Sequence, residues 1–161
     1  MSGPDPEKVQ KMHRYFAVEC NNRAWELAEL AVRSEEEDHE LRINAHAAAY
    51  HWAKVGTPVN DMRARILLAE VAAQHGNGEL ALQLAGQGCA FFENEEGTEW
   101  DRAIGTLELA YAHAVSGSKN EVASLLEKAV SRGEQLAEKG DREYFAESHR
   151  RIVTRITALQ K

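Results

Sequence analysis

The chain has 161 residues, enough for one domain with a hydrophobic core and too few for two domains of typical size. Hydrophobic residues make up 43% of it and charged residues 28%, and no apolar run approaches the roughly 18 residues that a membrane-spanning helix needs. The 26 Asp and Glu residues outnumber the 19 Lys and Arg residues, and the net charge of −7 argues against nucleic-acid binding, which requires clustered positive charge.

The N-terminus and the cysteines indicate a cytoplasmic protein without structural zinc. Residues 1–6 lack the basic and apolar segments of a secretory signal peptide. Cys20 and Cys89 lie far apart, and neither belongs to a set of four N or S ligands spaced for zinc. We expect reduced thiols, no cofactor, a single domain over residues 1–161 and disorder in residues 1–5.

The composition predicts an all-α fold, because alanine and leucine are abundant and alternating stretches of Val, Ile and Thr are missing. Glycines, prolines and capping residues divide the chain into about seven helices. Asp5-Pro6 begins the first, with Asp as N-cap and Pro at the first helical position. Val9, Met12 and Phe16 form its apolar stripe, and Asn21-Asn22 is a candidate kink or division.

The next boundaries follow from capping residues. Ser34 and the four acidic residues after it predict a helix start, because serine caps the first turn and acids favour the positive end of the helix dipole. That second helix covers about 39–55 and ends at Gly56-Thr57-Pro58. Two more helices follow over about 59–75 and 79–93, separated by a glycine-rich turn at 76–78.

The last three helices are bounded in the same way. Thr98 is the predicted cap of the fifth helix, which Gly117-Ser118 ends. The sixth carries apolar residues from Val122 to Leu136 and should stop at Gly140, where Asp141 caps the seventh. Because the joints are short, consecutive helices should pack as antiparallel neighbours.

The chain also contains an internal repeat with an offset of 41 residues. The segments that begin at Leu27-Ala28, Leu68-Ala69 and Leu109-Ala110 resemble one another. The same offset relates Gly76 to Gly117, and it relates the small residues Ala81, Ala85 and Gly88 to Val122, Leu126 and Ala129. Each unit is a helix, a glycine turn and a second helix whose small residues allow close packing.

This organisation resembles the tetratricopeptide repeat, a helix–turn–helix unit of roughly 34 residues. The likeness covers about 58–137 and, more loosely, 21–55. The period here is longer, and not all the signature Trp, Tyr and Pro positions are filled. The resemblance implies antiparallel helical hairpins stacked as a short α-solenoid with a C-terminal capping helix.

Such proteins commonly bind partners along a concave side lined by the first helix of each pair. The resemblance therefore implies a non-enzymatic module that binds a protein or peptide partner, a second copy of the chain included. The positions that would face the partner lie on three helices: Asn22, Trp25, Glu29 and Arg33; Arg63, Ile66, Glu70, Ala73 and Gln74; and Ile104, Leu107, Tyr111 and Val115.

A second hypothesis, a small-molecule sensor or enzyme, rests on histidine and aromatic residues. His46 and Tyr50 lie one turn apart on an alanine-rich helix, next to His51. His113 occupies the repeat position of Ala72. These four residues, His46, Tyr50, His51 and His113, would surround an internal pocket. Half-buried polar groups at helix contacts explain the same residues.

No catalytic motif supports the second hypothesis. The chain has a single Glu-x-x-His, at Glu36–His39, whereas a di-iron bundle needs two. It has no HExxH, GxSxG or phosphate loop. We therefore predict no catalytic residue and no metal site.

Overall fold

The computed structural model describes residues 3, 5–94 and 96–160. Over these residues the chain is all-helical, as predicted, with seven helices and no strand. In chain order the helices are α1 (Pro6–Glu29), α2 (Glu35–Val55), α3 (Pro58–Gln74), α4 (Gly78–Asn94), α5 (Glu99–Ser116), α6 (Lys119–Glu134) and α7 (Lys139–Ala158). The disorder expected in residues 1–5 falls on a segment of which only Gly3 and Asp5 are described. No helix in the described ranges combines the length and apolarity needed to cross a bilayer.

Three predicted helix starts are confirmed by their capping hydrogen bonds. The Asp5 carboxylate accepts from the amide of Glu7 at 3.0 Å. Ser34 and Glu37 form a capping box, in which each side chain accepts from the other residue's backbone amide. Thr98 begins α5 in the same way with Asp101 at the third helical position. These helices start where local side chains satisfy the free amides of the first turn.

Two predicted boundaries are wrong. Helix α1 runs through Asn21-Asn22 without a break, because the buried residues Ala17 and Ala24 hold both sides of that pair in one helix. Gly140 and Asp141 lie inside α7, so they neither end α6 nor cap α7. The chain turns earlier because the Arg142 guanidinium donates to two carbonyls of the α6–α7 joint, those of residues 136 and 137.

The chain divides into two compact units, Met1–Leu67 and Leu68–Lys161, and the division falls within α3. In the first unit α1 packs against α2. Small residues and leucines lie buried on both helices: Ala17, Ala24, Leu27 and Ala28 on α1, and Leu41, Ala45 and Ala48 on α2. The small side chains allow close approach, and Arg23 on α1 adds a two-armed ion pair to Glu40 on α2 at 2.8 and 2.9 Å.

In the second unit α5 is the central helix. It packs against α4, α6 and α7, and α7 also contacts α6. Half of its 18 residues are buried, including Leu107 and Tyr111. Phe145 and Ile152 of α7 complete this core. Gly133 on α6 lies so close to the Phe145 ring that a Cβ atom there would clash with it.

The turn after α3 and the turn after α5 have the same geometry. Gly76 and Gly117, which are 41 residues apart, both adopt left-handed backbone angles, with φ of 74° and 85°. Each glycine amide donates to the carbonyl three residues earlier, and the next amide donates to the carbonyl five residues earlier. This double hydrogen bond closes a helix end, and a residue without Cβ adopts its left-handed angle with no steric cost. The sequence offset of 41 residues therefore relates two equivalent turns.

Candidate functional site

The most prominent exposed feature lies on α1 and α2 of the first unit. Five aromatic rings contact one another here, and the distances that follow join ring centroids. On the α1 side, Tyr15 lies 5.3 Å from Phe16, and Phe16 lies 5.6 Å from His51. His51 lies 5.0 Å from His13, and Tyr50 lies 5.3 Å from His51 and 6.1 Å from His13. We call Met12, His13, Tyr15, Phe16, Tyr50 and His51 the aromatic cluster. Its large apolar members remain exposed: Met12 by 57%, Tyr15 by 60%, Phe16 by 40% and Tyr50 by 57%.

This exposure is unusual for an apolar stripe on a helix. Met12 and Phe16 follow helical spacing, which typically indicates a packed face, yet none of residues 6–16 is buried. Contiguous exposed apolar groups of this kind mark interaction sites more often than isolated ones do. The first eleven residues of α1 therefore form a helix with a well-defined apolar face and little of the fold covering it.

Positive charge borders the aromatic cluster. The Lys54 ammonium lies 5.3 Å from the centre of the Tyr50 ring, a cation–π contact. Lys8 and Lys11 are exposed on α1, and each lies one turn before a cluster residue, Met12 and Tyr15. Three lysines thus lie beside the cluster on a chain whose net charge is −7, together with the exposed Glu19 one turn after Tyr15.

At the centre of the aromatic cluster the two histidines form a direct pair. Nδ1 of His13 lies 2.8 Å from Nδ1 of His51, so one ring donates a proton to the other. Burial, followed by the nearby His13 ring, lowers the pKa of His51. Both effects favour the neutral imidazole at neutral pH. The pair links α1 to α2 across 38 residues of sequence.

The second unit encloses a pair of glutamates. Glu70 is fully buried and Glu108 is 3% exposed. The Arg155 guanidinium donates to the Glu70 carboxylate at 2.6 Å, and the Gln74 amide donates to the same oxygen at 2.7 Å. Burial, then the charge of Glu70 and a hydrogen bond to it, raise the pKa of Glu108 well above its usual range, against the opposing charges of Arg151 and Arg155. Burial and the charge of Glu70 both favour the protonated form of Glu108.

The residues predicted to face a partner fall into two groups. Ile66, Glu70, Ala73, Leu107 and Tyr111 are buried and form part of the interior. The remainder are exposed or half-buried: Asn22, Trp25, Glu29, Arg33, Arg63, Gln74, Ile104 and Val115. Arg33 also has a structural role, because it donates to the Leu27 carbonyl at 3.0 Å and pairs with Asp38 at 3.2 Å, which joins the end of α1 to the start of α2.

Three of the four residues of the alternative pocket lie on α2 of the first unit. His46 and Tyr50 are exposed on α2, and His51 is half-buried in the aromatic cluster. His113 belongs to the second unit, where its Nδ1 atom is buried without a hydrogen-bond partner. Of the four, the structure brings together Tyr50 and His51, in company with His13 and Phe16, which the alternative did not include.

Both cysteines are half-buried free thiols. Burial, with a smaller contribution from Glu93, raises the pKa of Cys89 to about 12. Burial and then Glu19 also raise the pKa of Cys20. A thiol with a raised pKa is a poor nucleophile at neutral pH, so neither cysteine has the electrostatic surroundings of a catalytic one.

Sequence reasoning missed the role of His13 and Tyr15. The sequence does contain one signal, the three large apolar residues Met12, Tyr15 and Phe16 within residues 12–16. They cover a wider arc of the helix than a single packed stripe needs. The partner of His13 lies on another helix, and local spacing carries no information about that contact.

Comparisons with family models, with curated proteins and with solved structures find no match to this chain.

Proposed function

We propose that the protein is a non-enzymatic interaction module that binds a peptide or protein segment through the aromatic cluster on α1 and α2. The single observation that supports this most directly is the run of touching, exposed rings on a helix half without a buried residue. Tyrosine is enriched at binding hot spots because its ring offers a large contact area and its hydroxyl a hydrogen bond.

The border charges indicate the chemistry of the partner. Lys8, Lys11 and Lys54 would attract carboxylates, and the rings would receive apolar or aromatic anchors. The partner that fits both features is an acidic peptide segment with apolar anchors at intervals. Such binding weakens with salt, because attraction between exposed charges is screened within about 10 Å at 0.1 M ionic strength.

The test is a selection from a random peptide library displayed on phage, followed by fluorescence anisotropy with the selected peptides. We expect enrichment of acidic sequences with aromatic or aliphatic anchors. The double variant Tyr15→Ala, Tyr50→Ala should weaken binding by about 10-fold or more, since hot-spot truncations cost about 2 kcal/mol or more.

Val32→Ala is the matched control, because Val32 is 86% exposed in the same unit and lies outside the aromatic cluster. It should leave the affinity unchanged. Equal losses in the control and the double variant, or selected peptides that bind the double variant as well as wild type, would contradict the proposed surface.

The helix pairs are proposed to form a tetratricopeptide-like stack. The equivalent turns at Gly76 and Gly117 support this, as does the packing of α7 against both helices of the α5–α6 pair. In a stack of repeats, the first helix of one unit contacts the preceding unit in this way. The exposed members of the predicted surface on the first unit, such as Asn22 and Arg63, remain candidates for further partner contacts.

A second copy of the chain is the other candidate occupant of the aromatic cluster. The acidic run at 35–38 has the charge that the cluster's border would attract. Light scattering on wild type and on the Tyr15→Ala, Tyr50→Ala variant separates the two cases. A wild-type dimer that dissociates in the variant would identify self-association rather than peptide binding as the role of the cluster.

A further inference from the structure

We infer that His13 and His51 form a two-histidine binding site for a divalent transition metal ion, Cu²⁺ above all. The site would take one ring nitrogen from α1 and one from α2, with water in the remaining coordination positions. It does not depend on peptide binding, and nothing in the sequence motifs indicated it.

The distance between the two nitrogens supports this assignment. Imidazole nitrogen binds these metals at about 2.0 Å, so two nitrogens 2.8 Å apart would subtend about 90° at a shared ion. A right angle between neighbouring ligands is characteristic of the tetragonal geometry of Cu²⁺ and Ni²⁺. The tetrahedral angle that zinc prefers would require the nitrogens to separate to about 3.3 Å. The hydrogen-bonded pair therefore needs only a small ring rotation to hold a tetragonal ion.

The surroundings of the pair also fit metal binding. A metal binds the neutral imidazole. On binding, the ring that donates the shared proton would carry its single proton on Nε2 instead, so that both Nδ1 lone pairs face the ion. Contacts with Phe16 and Tyr50 hold the His51 ring in place, which reduces the entropy lost on coordination.

The number of protein ligands determines the metal affinity that we expect. Over the described residues, no group of three or more His, Cys, Asp or Glu side chains is placed to share an ion. Two imidazoles give a moderate affinity that should follow the order Cu²⁺ above Ni²⁺ and Zn²⁺.

The experiment is a titration of the full chain, without a histidine tag, with CuCl₂, NiCl₂ and ZnCl₂. Isothermal titration calorimetry and the visible absorption of bound Cu²⁺ give stoichiometry and affinity, and thermal unfolding gives stabilisation. We expect one Cu²⁺ per chain. An excess of about 100 dissociation constants should raise the unfolding temperature by about 5 °C, and chelator should reverse the shift.

His13→Ala and His51→Ala should each weaken Cu²⁺ binding by about 10-fold or more and abolish the thermal shift. His46→Ala is the matched control, because His46 is exposed on the same helix as His51. His51→Asn provides a second test if the alanine variant unfolds, because it keeps a polar side chain of similar size.

Unchanged Cu²⁺ binding in both pair variants, or an equal loss in the His46 variant, would overturn the site. Stabilisation that is greater with Zn²⁺ than with Cu²⁺ would overturn the assigned geometry.

Discussion

Two glutamates of the second unit are similarly buried but have different neighbours. Glu70 has an Arg155 guanidinium and a Gln74 amide to stabilise its charge, whereas Glu108 faces the negative charge of Glu70. Burial and the charge of a neighbouring carboxylate both favour the protonated form of Glu108.

The same isosteric change should therefore have opposite effects at the two positions. Glu108→Gln replaces a protonated acid with a neutral amide, and we expect the free energy of unfolding to change by less than about 1 kcal/mol at pH 7. Glu70→Gln removes the buried carboxylate to which Arg155 and Gln74 donate and should cost about 3 kcal/mol. Urea unfolding followed by circular dichroism measures both, and Glu127→Gln on the exposed side of α6 is the control.

The pH dependence gives an independent measure of the same pair. The folded-state pKa of Glu108 lies above its unfolded value of about 4.3, so between these two values the folded state binds a proton that the unfolded state lacks. That contribution to stability is complete below about pH 4.3 and is lost as pH rises through the folded pKa. Wild type should therefore lose stability more steeply than Glu108→Gln above pH 4.3. Parallel curves, or equal costs for the two glutamine variants, would show that Glu108 is ionised in the fold.

At the scale of single elements, the two left-handed glycine turns define the ends of α3 and α5. A side chain at either position is strained by the positive φ whatever the space around it. Gly86, inside α4, has open space around the position of a Cβ and no such angle.

Alanine should therefore destabilise the turns and stabilise the helix. We expect Gly76→Ala and Gly117→Ala each to lower the free energy of unfolding by about 1 kcal/mol, and Gly86→Ala to raise it by about 0.5–1 kcal/mol. Chemical denaturation measures the free energy of unfolding of each variant, and equal m-values show that the differences are differences in stability. A loss at Gly86 as large as that at the turns would show that general packing, rather than backbone angle, sets these costs.

Helix existence and most helix starts could be predicted from the sequence because they depend on local chemistry. A serine, threonine or aspartate caps amides two or three residues away, as Ser34, Thr98 and Asp5 do. The α6–α7 joint was misplaced because the Arg142 side chain, rather than a capping residue or a glycine, satisfies its carbonyls. The sequence pattern carries no clear signal of that contact.

Burial was harder to predict than helix content, since it depends on which neighbours cover each face. Leu107 and Tyr111 were assigned to a partner-facing side, yet α5 packs against α4, α6 and α7 and buries both. Met12 and Phe16 follow a packing pattern and remain exposed. The contacts that define the candidate site, such as His13 with His51, join different helices and depend on helix rotation, which spacing within one helix does not determine.

For the molecule as a whole, the distribution of burial predicts where the backbone opens first. Half of α5 lies in the interior, whereas none of residues 6–16 is buried. Amides protected by buried contacts exchange through larger openings than amides in exposed helix turns. Hydrogen exchange followed by mass spectrometry should give α5 protection at least about 100-fold above that of the first eleven residues of α1.

A bound peptide should then raise the protection of that α1 segment and leave α5 unchanged. Equal protection of the two segments in the free protein would contradict the expectation that the first half of α1 opens more readily than α5.

The equivalent turns after α3 and α5 also bear on how such a chain can lengthen. A duplicated block of 41 residues, taken from one turn glycine to just before the next, would begin and end with the same backbone geometry as the junctions it meets. Tandem duplication of that block could extend the chain by whole helix pairs, because each new pair would be connected by a turn of a kind that the chain already contains.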